Sequence, residues 1–204
     1  LEPGDLPEEF KQKLAGLPLM DSVFMLHLGV DTSFPALRCS STYFYGSYDI
    51  EGQVKLAREG VYHEGAAGFV VHWPSLRSPE MAPEGMQALT IYTICPEKLK
   101  EGDWERDKEV YAEKLLGYAE KYLPGLRQSI RTQVIVSPLE LRKITHLEHH
   151  AFGGLAPVMN AWRPPHQTPV QGLWFIGAQS ESGGGMNSVI PSADKVAKRV
   201  MTGG

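Results

Sequence analysis

Residues 177–189, GAQSESGGGMNSV, hold the densest group of positions able to do chemistry in this chain. Gly183, Gly184 and Gly185 precede a stretch in which Val189, Ile190, Ala193, Val196, Ala197 and Val200 recur at helical spacing. Pro191 is tolerated only in a first helical turn, which puts the helix start between about Asn187 and Pro191. That turn carries no Asp or Glu. Lys195, Lys198 and Arg199 gather toward the far end, where the helix dipole favours cations. A helix start has N–H groups that the helix itself does not satisfy, and glycines let a ligand come close to the backbone. The chemistry this permits is binding of an anionic or electron-rich group. A plain glycine turn with a hydrated helix start accounts for the same residues, and local sequence leaves the two readings level.

The other constellations are weaker. His146, His149 and His150 lie together in HLEHH, and on a helix His146 and His150 would share a face. A metal needs a third ligand and an open position, and Glu148 points elsewhere on a helix, so a polar helix end without metal is expected. Arg163 in AWRPP could touch a ligand, although pairing with a carboxylate is the plainer expectation. Ser180 and Ser182 sit in QSESGGG, which is not the G-x-S-x-G turn of a serine hydrolase. Gly183 and Gly185 have the spacing that opens a G-x-G-x-x-G dinucleotide fingerprint, but Ser188 stands where the last glycine belongs.

Positioning these residues requires elements on either side. Leu173, Trp174, Phe175 and Ile176 in GLWFIGA are too few for a helix and apolar on both faces, the pattern of a strand in a sheet covered on each side. Upstream, residues 21–31, 37–49, 67–75, 86–96 and 130–138 read as strands, and 50–59 as a short polar helix. The clearest helix is 104–123. Trp104, Tyr111, Leu115, Tyr118 and Tyr122, widened by Val110, Leu116, Ala119 and Leu123, form one face, and Pro124 and Gly125 end it. A further helix is expected in LELRKITHLEHH (139–150), followed by a Gly- and Pro-rich loop over 151–172. Strands followed by a long helix give an α+β class, with a mixed or antiparallel sheet and helices on one side.

Composition bounds the rest. The 204 residues are 42% hydrophobic and 22% charged, with a net charge of -4, so no basic face invites nucleic acid. Cys39 and Cys95 are far apart and suit a reducing, cytoplasmic setting better than a disulfide or zinc site. No apolar run approaches the roughly 18 residues of a spanning helix. The polar, Pro-punctuated start at Leu1 looks like a segment cut from a longer protein.

The stretch GLWFIGAQSESGGGMNSVIPSADKVA resembles the C-terminal flavin-binding signature of the phytoene desaturase and carotenoid isomerase branch of FAD-dependent oxidoreductases. FMLHLGVD, MAPEGMQALTIYT, EKYLPGLRQSI, VSPLELRKIT and FGGLAPVMNAWRPP resemble further blocks of that family in the same order, from about Asp21 onward. The resemblance implies a substrate-binding portion over 1–150, whose sheet covers an isoprenoid-like polyene. It implies that 151–204 is the last part of a glutathione-reductase-like FAD domain. Gly177 and Ala178 are then expected beside the ribityl and pyrophosphate of FAD. Gln179 stands where related flavoproteins often have an acid. Gly184, Gly185, Met186 and Asn187 are expected under the isoalloxazine ring, with the helix start at Ser188 and Val189 aimed at the flavin carbonyl oxygens. The family's N-terminal strand, its G-x-G-x-x-G turn and its ribose-binding acid have no counterpart here. The chain is therefore expected to be the C-terminal portion of such a flavoprotein, with the missing N-terminal segment and a hydrophobic isoprenoid as partners and a membrane surface as an open option. A non-catalytic binding or structural module without flavin is the competing expectation.

Overall fold

The computed structural model describes residues 6–149, 152, 154–156, 158 and 160–202. Its elements in chain order are α1 (Glu8–Ala15), β1 (Ser22–Val30), β2 (Ser41–Tyr45), α2 (Ile50–Arg58), β3 (Gly68–His72), β4 (Gln87–Cys95), α3 (Trp104–Glu120), α4 (Leu126–Ser129), β5 (Ile130–Val136), α5 (Pro138–Thr145) and α6 (Met186–Met201). They divide into two compact units, residues 21–150 and residues 1–20 with 151–204.

In the first unit, five strands form one sheet in the order β2-β3-β4-β1-β5. Every neighbouring pair is antiparallel, so the expected α+β class takes its antiparallel form. Alternation along the strands decides which face is buried. Phe24, Leu26, Leu28 and Val30 of β1, Leu89, Ile91 and Cys95 of β4, and Phe69 and Val71 of β3 all enter the core. On α3 the buried positions are Trp104, Ala112, Leu115, Leu116 and Ala119, and Leu123 and Leu126 follow. Each fully buried leucine contributes about 1.5–3 kcal/mol of burial, so α3 is held mainly by its apolar stripe.

Local signals set the ends of α3. The Asp103 carboxylate accepts the N–H groups of Glu105 and Arg106 at 2.8 and 3.2 Å, satisfying donors that the first turn leaves open. At the other end Gly125 takes φ +84, a left-handed turn suited to glycine, and the Glu120 carboxylate accepts the N–H groups of Gly125 and Arg127. The helix therefore stops at Glu120, before the expected end at 123. Val110 is an outward residue at 54% exposure, while Ala112, absent from the expected stripe, is buried.

Two expectations need correction. The helix expected over 139–150 runs only Pro138–Thr145, opened by a Ser137–Glu140 capping box and closed by His146 in a left-handed conformation. GLWFIGA is not a strand in a covered sheet. Its sole pairing among the described residues is an isolated bridge between Gln167 and Trp174, and Phe175 and Ile176 are 36% and 48% exposed. The preceding loop turns back on it: Phe175 N–H donates to the His166 carbonyl at 2.8 Å and Leu173 N–H to that of Val170 at 3.1 Å. Those turns use the backbone groups that a ladder would need.

Within the second unit, the Met20 N–H donates to the Gly154 carbonyl and that of Ala156 to Pro18, beside a bridge between Leu19 and Leu155. Phe10 meets the Trp162 ring edge to face at 5.5 Å. Among the described residues, no helix is long and apolar enough to cross a membrane.

Candidate functional site

The glycine-rich segment forms a tight turn that delivers the chain to α6. The Gly177 carbonyl accepts from the Ser180 hydroxyl at 2.7 Å, the Ser182 hydroxyl at 2.9 Å and the Ser180 N–H at 3.0 Å. Ser180 is fully buried, so these hydroxyls replace the water the carbonyl would otherwise need. Their role is to fold the loop. Glu181 holds the other flank, accepting the His166 N–H at 2.8 Å while its own N–H donates to the Pro164 carbonyl. Gly183 takes φ +72, and a Cβ there would lie 2.7 Å from Nη1 of Arg163, so the guanidinium lies close against that glycine.

The helix begins at Met186, one residue earlier than expected. Pro191 therefore lies in its second turn, where it has no N–H to offer the carbonyl four residues back. Gly185 is the cap residue at φ +96; no side chain caps the helix, and the first turn holds no acid. Ser188 and Val189 both donate their N–H groups to the Gly185 carbonyl at 3.0 Å. The donors without a backbone acceptor among the described residues are Met186 and Asn187. The open end of α6 is thus two residues earlier than the Ser188–Val189 position read from sequence.

The expected site residues fall into two groups. Gly184, Gly185, Met186 and Asn187 are exposed at the helix start, with Ser188 and Val189 half-buried behind them. Gly177, Ala178 and Gln179 are half-buried on the preceding loop. Ala178 is backed by Gly154, whose Cβ would lie 2.7 Å from the Ala178 carbonyl oxygen. Gly177, at φ +121, has no heavy atom within 4 Å of a would-be Cβ. The nearest atom to one on Gly185 is Oδ1 of its own Asn187, at 2.8 Å. Space is open at Gly177, and at Gly185 only the end of the Asn187 side chain intrudes; Ser180 and Ser182 connect the two groups.

Of the histidines, His146 caps α5 and His149 pairs through Nδ1 with the buried Glu97 carboxylate. His150 lies outside the described residues. Because α5 ends at Thr145, His146 and His149 do not share a helical face.

The sheet contributes a second surface, which strand patterns alone did not reveal. The face opposite α3 carries a row that crosses all five strands: Tyr43 opposite Val70, Val70 opposite Tyr92, Tyr92 opposite Met25, and Met25 opposite Val136. Tyr43 is 60% exposed, and Val70, Tyr92, Met25 and Val136 are half-buried. Burial, then the neighbouring Tyr43 hydroxyl, pushes the Tyr92 phenol above its ordinary range. Four interstrand steps make this apolar row about 19 Å long. The signal in sequence was the strict alternation of β4, but the row itself depends on register.

No family model matches the chain. It is similar to a lycopene-forming phytoene desaturase of Pantoea ananas, 26% identical over 202 residues, covering 94% of this chain and 40% of that protein. A neurosporene-forming phytoene desaturase of Cereibacter sphaeroides is 32% identical over 136 residues, 63% of this chain and 26% of that protein. Pyridine nucleotide-disulfide oxidoreductase domain-containing protein 2 of Mus musculus is 32% identical over 124 residues, 55% of this chain and 21% of that protein. Among solved structures, an oxidoreductase from Methanosarcina mazei shares the fold with a TM-score of 0.53 at 14% identity, over 93% of this chain and 36% of its own. The chain thus spans two fifths or less of the length of each of these relatives. It is similar in sequence to part of several phytoene desaturases and shares its fold with part of an oxidoreductase.

Proposed function

We propose that this chain is the substrate-facing and helix-closing part of an FAD-dependent oxidoreductase that desaturates, saturates or isomerises a carotenoid or other isoprenoid polyene. The observation that carries the reading is the start of α6: Gly185 at φ +96, no side-chain cap and no acid in the first turn. FAD, when bound, supplies the redox chemistry; the protein supplies position and electrostatics. The N–H groups of Met186 and Asn187, with the positive end of the helix behind them, hold an electron-rich edge of the ring. Gly184 and Gly185 let the ring lie against backbone, and Gly177, Ala178 and Gln179 flank the ribityl and pyrophosphate. Gln179 can donate a hydrogen bond there as well as accept one, where an acid could only accept. This assigns residues 151–204 to the last part of a glutathione-reductase-like FAD domain and, of the 1–150 expected as the substrate portion, residues 21–150 to it, since 1–20 group with 151–204.

The open face of the sheet suits the substrate. A polyene has no polar atoms to satisfy, and Tyr43, Val70, Tyr92, Met25 and Val136 offer it a continuous apolar track. The remaining partners in this reading are an upstream segment that binds the pyrophosphate and a membrane surface from which an isoprenoid is drawn. A cytoplasmic location fits both, and nucleic acid has no place in it.

The test is the colour of the full-length parent. Purified after expression with riboflavin, it should carry FAD close to one per chain and absorb in the visible. Colourless protein that takes up no added FAD contradicts the proposal.

A further inference from the structure

We propose that the open face of the sheet selects a long apolar molecule bearing a hydroxyl or carbonyl oxygen, and that His27 and His72 recognise that oxygen. The inference rests on the substrate face proposed above and names the kind of substrate it prefers.

Two residues along from the apolar row lies a second row, polar on four strands and ending at the exposed Val134 on β5, opposite His27. Ser41 is opposite His72, His72 opposite Thr90, and Thr90 opposite His27. The two rows run side by side at about 7 Å, the length of two strand residues. Both histidines are exposed, and each is anchored through one ring nitrogen. His72 Nδ1 lies 2.9 Å from the Ser41 hydroxyl, and His27 Nδ1 lies 2.9 Å from that of Thr90. Those bonds leave Nε2 of each ring without a partner among the described residues. Imidazole offers that nitrogen as donor or acceptor according to tautomer, so it can serve an alcohol or a ketone.

A ligand that is hydrocarbon throughout would strip water from this row and return no hydrogen bond, a cost that any covered polar group incurs. An oxygen carried off an apolar chain turns that cost into a contact. The flanking histidines stand on interior strands, β3 and β1, near the middle of the sheet. They are not at an edge, where polar residues serve to block strand pairing.

The experiment measures binding of all-trans-retinol and of its deoxy hydrocarbon to the 204-residue chain, read by quenching of tyrosine and tryptophan emission. The wild type should prefer the alcohol by about 3- to 10-fold, the range one hydrogen bond supplies. A His27→Leu, His72→Leu double variant should bring the ratio near one without weakening hydrocarbon binding. A His27→Gln, His72→Gln variant, which keeps polar hydrogen-bonding side chains, should retain a preference, and circular dichroism reports whether each variant is folded. Equal binding of the two probes by wild type, or a preference that survives the leucine variant, overturns the inference while the apolar track stands. Binding of neither probe removes both.

Discussion

Replacing Gly185 with alanine separates a ligand-facing glycine from one that merely turns the chain. Gly185 sits at φ +96 and ψ 140, outside the left-handed helical well and in a region essentially confined to glycine, where alanine costs about 1–3 kcal/mol. Little steric penalty adds to this, because the new Cβ would meet only Oδ1 of Asn187 at 2.8 Å, the end of a side chain that can rotate. For a chain of this size the strain lowers the thermal midpoint by roughly 2–12 °C. Gly125 provides a control with positive φ but milder strain: it has φ +84 and ψ 3, in the left-handed helical region, no atom lies within 4 Å of a would-be Cβ, and it caps α4 in the other unit. Gly125→Ala should therefore melt early too, by roughly 2–8 °C for a cost of about 1–2 kcal/mol. The two should part company on cofactor. In the full-length parent, Gly185→Ala places a methyl group where the ring must lie and should cut flavin absorbance per protein at least several-fold, whereas Gly125→Ala keeps it. If both variants keep full flavin content and differ from wild type only in melting, the glycine is a turn and the assignment of Gly184 to Val189 fails.

Three further outcomes are expected. Residues 1–204 alone should hold FAD weakly or not at all, because no dinucleotide fingerprint is present to grip the pyrophosphate; equilibrium dialysis giving micromolar or tighter affinity would reverse this. Leu115, fully buried beneath the sheet, should cost about 2–5 kcal/mol when changed to alanine, measured by urea unfolding; a loss below about 1 kcal/mol would mean that α3 is not docked as described. Burial raises the Glu140 carboxyl, but Lys108 at 2.9 Å and Ser137 outweigh it and hold the group at about 2, below its usual 4.5. Its contribution is complete above about pH 4.5 and fades as pH falls toward 2, so the wild-type advantage over Glu140→Gln should shrink across that window and be flat above it.

What could be read from sequence was whatever local pattern determines. Alternation in 86–96 located β4, and three- and four-residue steps with Pro124 and Gly125 located α3, because burial and capping act over a few residues. The bare start of α6 was legible to one residue for the same reason. Val110 misled because apolar character is no guarantee of burial. GLWFIGA misled more seriously: apolar on both faces, it had the look of an interior strand, yet its backbone bonds go to the loop at 166–170. The rows on the open face were not legible at all. Tyr43, Val70, Tyr92, Met25 and Val136 are far apart in the chain, and only the register of four antiparallel pairings lines them up.

The most direct measurement is of the polyene itself. The full-length parent, loaded with FAD, is incubated with phytoene and with a conjugated carotenoid, and the extracted products are separated by chromatography. The account predicts a polyene changed in the number or geometry of its double bonds, and only when flavin is bound. Recovery of every polyene unchanged from flavin-loaded protein, or the same conversion without flavin, would contradict it.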